Sequence, residues 1–368
     1  MKLRPPVVVL LIISLVVSFI CVVYFWIGIP VLELIFNPAD DTGSHGFITI
    51  TGSDVLNLDD LHSGFVPDDS YQMEGEYKPV GEIGNVTYVT GNQVKFEEGT
   101  KNILLLGISD EALCDSIFVL NVNEASKEVK IVSIPRDAYV PYTDDIVNAM
   151  IKAGYYYSPG SCKINAALYV GSSIVRYNGG KFGNSGIDFL CAIIDNLFAY
   201  GCEIDEYVQV DLYGFMDIID IVGGVYVTSD EVMYKTYPDG SKEVWVTEGT
   251  QKMDAKTALF YVRNRTKFTS TGENAYAGGD EYRKTNQVKF LAEVSSQILT
   301  KDNLKLSNVT DLLQTLKENV KHSFGDNLSE YIDIGLDFAN GGYKIGMYVV
   351  TGEEIDPMGD NASYVKIY

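Results

Sequence analysis

The chain has 368 residues, with 28 Lys and Arg against 50 Asp and Glu and a net charge of −22. That length allows one large core or two modest ones, and the acidity excludes a nucleic-acid partner, which needs a basic face. Three histidines (His45, His62, His322), no Gly-x-Gly-x-x-Gly and no Walker loop leave a Ser-His-Asp triad, a histidine zinc site and the common nucleotide loops without support.

From the start, Lys2 and Arg4 precede Pro5 and Pro6, and residues 7–29 then carry no charge. A run of that length spans a bilayer core of about 30 Å at about 1.5 Å per residue. Basic residues before it and acidic ones after it predict a cytoplasmic N-terminus (1–6), one transmembrane helix (7–29) and a body outside the cell membrane. Residues 30–100, acidic and rich in Gly, Asp and Pro, read as an extracytoplasmic stalk or accessory segment with short strands at 47–51, 86–89 and 94–96.

The main domain, 101–368, opens on the apolar run 103–106, a strand covered on both sides. Two more runs, 117–122 and 129–134, flank a polar turn and predict a hairpin. Next come the segment 148–157, a helix from 163–168 to Arg176, a helix over 186–200, a strand at 207–212, a helix over 213–221 and a strand at 223–227. Helices over 253–263, 280–299 and 311–320 and a strand at 344–350 close the domain. Alternating helices and strands predict an α/β sandwich around a central sheet.

The hairpin carries the chemistry. Asp115 sits where its first strand begins and Arg136 just past the end of its second, so both reach one sheet edge, where α/β proteins place ligands. The chain has only six arginines: Arg4, Arg136, Arg176, Arg263, Arg265 and Arg283. Any one of them is explained by pairing with a surface acid. As a set they point to a phosphate site, because the guanidinium fork binds phosphate bidentately. Asp110 and Asp115 are hard carboxylates of the kind that hold Mg2+ beside phosphate oxygens. Cys114, Cys162, Cys191 and Cys202 follow the span, and the sequence leaves open a disulfide or buried thiols.

These segments, in order, resemble the LytR-CpsA-Psr family of cell-envelope enzymes. The matching residues are Asn102-Ile-Leu-Leu-Leu-Gly with Asp110, Cys114-Asp115-Ser116, Ser133-Ile-Pro-Arg136-Asp137, Lys163-Ile-Asn165-Ala, the stretch from Val208 to Gly224, Ala258 to Arg265 with its Arg263-Asn-Arg265, and Asp280-x-x-Arg283-x-x-x-Gln287. The resemblance implies an α/β/α sandwich with a central mixed sheet, on a membrane anchor. It implies transfer of a glycopolymer from an undecaprenyl-diphosphate carrier to peptidoglycan through a phosphodiester. Asp110 and Asp115 would then hold Mg2+, while Arg136, Lys163, Arg263, Arg265, Arg283 and Gln287 would contact the diphosphate, with Asp280 beside them. Asp115 or Asp137 would assist deprotonation. Phe189, Leu190, Ile194, Leu197 and Phe215 would line a tunnel for the lipid tail.

The chain departs from the family pattern at Leu113 and Asn286, where arginines are usual, and at Ser109, an extra residue in the turn before Asp110. Two other readings stay open: a polyprenyl-diphosphate hydrolase, which would use the same site with water as acceptor, and a non-catalytic lipid-binding or regulatory membrane protein, which Leu113 keeps open.

Overall fold

The structure is a computed structural model and describes residues 82–110, 113–199, 201–237, 239–268, 274–277, 279–298, 320–324, 334, 337–338, 340–360 and 362–367. Its main sheet contains β1 (Glu82–Val89), β2 (Lys101–Asp110), β3 (Leu113–Asn123), β4 (Glu128–Ile134), β5 (Glu206–Val210), β6 (Val320–His322) and β7 (Lys344–Val350). Their order is β1-β7-β4-β3-β2-β5-β6. The β1–β7, β7–β4 and β2–β5 pairs are parallel, and the other three are antiparallel. All strands but β3 and β6 therefore point the same way, and their C-terminal ends form one edge.

The predicted hairpin is β3 and β4, in register from Ile117 opposite Ile134 to Asn123 opposite Glu128. Both faces of the sheet are covered, which explains the continuous apolar runs. On one face Ile103, Leu105, Phe118, Leu120 and Ile131 pack against three helices: α3 (Leu212–Ile221), α4 (Ala255–Arg263) and α5 (Gly279–Ile298). On the other, Leu104, Leu106, Ile117, Val119 and Val132 pack against α1 (Asp144–Lys152), α2 (Ser185–Leu197) and the helical stretch before α2. Helix starts follow their caps: the side chains of Asn184, Asp211 and Asp254 accept from Ile187, Gly214 and Thr257 N–H. Smaller antiparallel pairs join Val225–Ser229 to Gly249–Met253, Met233–Thr236 to Lys242–Val246, Thr266–Phe268 to Asn274–Ala277, and Glu353–Ile355 to Tyr364–Lys366.

Three expectations change. Residues 82–89, read as part of a stalk, form an edge strand of the main sheet, Val86 opposite Met347 and Val89 opposite Val350. Val94 and Phe96 form no strand; they pack on the core, with the Phe96 ring 5.2 Å from that of Phe198. The helix expected from Lys163 to Arg176 is broken into a 3-10 turn (Ile164–Ala166), an α-turn (Ala167–Tyr169) and a π-helical turn (Val170–Val175), and Arg176 ends it at φ +53°. The four described cysteines are unbridged thiols. Among the described residues no helix is long and apolar enough to cross a membrane. Residues 1–6, the predicted span 7–29, the strand at 47–51 and most of the helix at 311–320 lie outside the described residues.

Gly171 sits where that stretch crosses the start of α2, and a Cβ there would meet Phe189 Cβ at 2.4 Å and the Ser185 carbonyl oxygen at 2.8 Å. Gly171→Ala should destabilise the full chain by about 1–3 kcal/mol, the range for overpacking. Thermal unfolding checks it, and an unchanged midpoint would show that the two segments part freely.

Candidate functional site

The site is built from two walls. The first is the sheet edge. Gly107 pairs with Ser116 but Ile108 pairs with Cys114, so Asp115 is an extra residue in β3. Cys114 faces the same core layer as Ile117 and Val119, although simple alternation would put it opposite. This bulge re-aims the side chain beside it, as bulges near sites do. Arg136 Nη1 donates to Asp115 Oδ1 at 2.8 Å, and its Nε lies 3.7 Å from Asp137 Oδ2. Lys163 Nζ donates to Asp137 Oδ1 at 2.8 Å. Backbone bonds fix this loop: Ile164 N–H to the Ala138 carbonyl, Asn165 N–H to the Arg136 carbonyl, and Val365 N–H to the Asp137 carbonyl.

The second wall is the junction of α4 and α5. Arg263 is the last residue of α4 and half-buried, Asn264 turns the backbone extended, and Arg265 follows. Gly279 N–H donates to the Arg265 carbonyl at 3.2 Å, with Gly279 at φ +64°, where a side chain would be strained. Asp280, Arg283, Lys284 and Gln287 then share one helix face by their spacing. Arg283 Nη2 donates to Asp280 Oδ1, while Lys284 Nζ lies 3.5 Å from Asp280 Oδ2 and Arg265 Nη2 3.6 Å from Oδ1.

The two walls form one electrostatic unit. Burial works against the charge of Arg136, but Asp137, Asp115 and, from the other wall, Asp280 outweigh it and hold its pKa above the usual arginine range. Burial lowers the pKa of Arg265, helped by repulsion from Arg283 and Arg136. Burial also lowers that of Arg283, opposed by Asp280 and joined by Arg136. Asp280 is held well below the ordinary carboxylate range: burial would raise it, but Arg283, Lys284, Arg136 and Arg265 prevail. Among these side chains five cations (Arg136, Lys163, Arg265, Arg283, Lys284) face three carboxylates (Asp115, Asp137, Asp280), an excess of two positive charges. Arg283 is only 1% exposed, and its Nε and Nη1 have no hydrogen-bond partner among the described residues.

The sequence-predicted residues thus divide. Asp115, Arg136, Asp137, Lys163, Arg265, Asp280 and Arg283 come together. The buried Gln287 faces α4, its Nε2 donating to the Val262 carbonyl at 3.3 Å, so it ties the helices of the second wall to each other. Asp110 ends β2 opposite Leu113, and its side chain lies outside the described residues. Among the described residues no group of three or more His, Cys, Asp and Glu could hold a metal ion. The tunnel residues do not share a space: Phe189, Leu190, Ile194 and Leu197 lie in one core layer and Phe215 in the other, across the sheet. Leu197 borders a cavity of about 270 Å³ together with Val94, Pro141 and Phe198. Lys284 was missed by a reading centred on arginines, although its place four residues after Asp280 was a usable signal.

The sequence profile of the LytR_cpsA_psr family matches residues 74–367. The chain is 25% identical over 291 residues to the polyisoprenyl-teichoic acid–peptidoglycan teichoic acid transferase TagV of Bacillus subtilis, covering 76% of this chain and 64% of TagV, just under two thirds of that relative's length. It is 28% identical over 278 residues to TagU, of the same description, from Oceanobacillus iheyensis, covering 72% of this chain and 76% of TagU. The crystal structure of B. subtilis TagV superposes with a TM-score of 0.51 at 22% identity, over 74% of this chain and 92% of that one, a likeness of fold.

Asp280 gives a stability prediction. Because its folded pKa is depressed, its contribution is complete above its unfolded value of about 4 and is lost as pH falls toward the folded value. Asp280→Asn should destabilise the chain at pH 7 by about 3 kcal/mol, the low end for breaking a buried pair because Asp280 keeps some exposure. Between about pH 4 and pH 2 the gap to wild type should narrow. Urea unfolding at stepped pH checks both, and a gap independent of pH would refute the assignment.

Proposed function

We propose, from the premise that this chain belongs to the LytR_cpsA_psr family, that it transfers a glycopolymer from an undecaprenyl-diphosphate carrier to peptidoglycan, leaving a phosphodiester link. The observation that carries the reading is the excess of positive charge at the junction of the two walls, with the buried, partly unmatched guanidinium of Arg283 inside it. A diphosphate supplies the missing negative charge and acceptor oxygens, and charge-assisted bonds to it are the strong kind. The related TagV and TagU are described as teichoic acid transferases, which supports cell-wall glycopolymer transfer as the class of reaction.

In this reading Arg136, Lys163, Arg265 and Arg283 hold the diphosphate, with Arg263 beside them. A hydroxyl of the wall acceptor attacks the phosphorus that carries the polymer. The new oxygen–phosphorus bond forms as the bond to the bridging oxygen breaks, and polyprenyl phosphate leaves. An aspartate takes the hydroxyl proton; Asp137, with 17% of its side chain exposed against 2% for Asp115, is the more reachable. The arginines stabilise the charge that develops, the usual main source of rate in such transfers.

Mg2+ fits the donors by class, since it takes one or two carboxylates and fills its remaining positions with phosphate oxygens and water. Asp115, a buried carboxylate at this edge, and Asp110 would hold it, and when bound it would neutralise charge on the phosphate oxygens. The carrier is a membrane lipid, so the apolar run 7–29 would anchor the chain with its body on the outer side.

The test is the full chain in detergent with an undecaprenyl-diphosphate sugar, Mg2+ and peptidoglycan fragments, with products identified by mass. Wild type should yield the joined product, and Arg136→Ala and Asp115→Ala should each lower turnover by about 10²–10³-fold. Free polymer without attachment would mean that water is the acceptor and the protein a hydrolase. Binding without turnover would favour the lipid-binding reading that Leu113 keeps open.

A further inference from the structure

The family resemblance calls for arginines at two positions filled here by Leu113 and Asn286, yet the site is not short of positive charge. Lys284 is the reason. It lies on the same face of α5 as Asp280 and Arg283, is 8% exposed, and its ammonium meets Asp280 Oδ2 at 3.5 Å. It also interacts electrostatically with Asp137, which belongs to the other wall. A lysine costs several kcal/mol to desolvate, and burying it beside Arg283 adds repulsion. Asp280 already has Arg283 and Arg265 as partners, so a third cation is not needed to neutralise it. A buried cation beyond what the local acid requires is charge available to an anion at this junction.

We propose that Lys284 is a further diphosphate-contacting residue of this site, supplying charge that Leu113 and Asn286 leave out. The proposal rests on the transfer reading above and adds to it a specific donor. With Lys284 the ion-paired side chains of the cluster carry an excess of two positive charges, and without it one. A point-charge ammonium with three rotatable donors also makes fewer demands on geometry than a guanidinium fork, so this site should accept the diphosphate through one less rigid contact than an all-arginine site would.

The experiment measures binding of geranyl diphosphate, a soluble prenyl diphosphate, to the full chain in detergent by calorimetry, together with KM and kcat for the undecaprenyl-diphosphate sugar. Lys284→Met should weaken binding by about tenfold, the value of one charge-assisted hydrogen bond, and raise KM more than it lowers kcat. Lys284→Gln, which still hydrogen-bonds Asp280, is the second neutral variant and should lose the same affinity. Lys284→Arg should retain affinity within about threefold, and Leu113→Arg placed in the Lys284→Met chain should restore much of the loss, which a merely structural role for Lys284 would not produce. If folded Lys284→Met or Lys284→Gln binds as wild type does, while Arg136→Ala does not, the role of Lys284 is refuted and the transfer reading stands. If wild type itself binds no prenyl diphosphate, both fail.

Discussion

Cations cannot be gathered below a protein surface unless something holds them against their mutual repulsion and their lost hydration. In this chain that work falls to three carboxylates. Asp115 takes Arg136, Asp137 takes Lys163 and faces Arg136, and Asp280 takes Arg283, Lys284 and Arg265. Each acid is placed by a separate device: a bulge in β3, the turn after β4, and the first turn of α5. The acids do not cancel the cations, and the remainder is what the proposed diphosphate would meet. The opposing pKa directions of Arg136 and Arg283 express the same balance, one guanidinium having enough acids around it and the other being buried beyond what its acids offset.

Two walls meeting over a ligand behave differently from a single rigid pocket. The sheet-edge wall is locked by backbone bonds between residues 136–139, 163–165 and 365. The other wall is tied by the Gln287 amide on the Val262 carbonyl and by Gly279 on Arg265. Between them the described links are largely electrostatic, such as Asp280 with Arg136 and Asp137 with Lys284. Arg136 also repels Arg265 and Arg283 across the same gap, and an anion between the walls would offset that repulsion.

Much of the fold was legible because sheet burial leaves a direct imprint. The runs at 103–106, 117–122 and 129–134 are apolar without interruption because helices cover both faces, and antiparallel pairing then puts Asp115 and Arg136 at one end. The bulge was not legible, since its trace is a change of parity between Cys114 and Ile117 that shows only once faces are known. Nor was the membership of 82–89 in the main sheet, because β1 pairs with β7, and nothing local in an alternating strand names so distant a partner. The resemblance put Phe215 with Phe189 along one tunnel, and the sheet between them is what separates the layers. Gln287 was expected to contact the diphosphate, yet the helix face it shares with Arg283 runs along α4 farther from the helix start, where the Val262 carbonyl accepts its amide.

The strand Tyr364–Lys366 has an effect on how the molecule reaches this state. Val365 bonds to both Asp137 and Tyr139, and the Tyr364 ring lies under the Lys163 ammonium at 5.5 Å. The brace for the arginine loop therefore comes from the far side of nearly the whole domain, and contacts of such long sequence separation form late. The cation cluster is expected to be among the last parts to consolidate, together with the edge of the apolar layer that Tyr364 and Ile367 complete. A nascent chain lacking that strand would hold Arg136 and Lys163 on an unbraced loop.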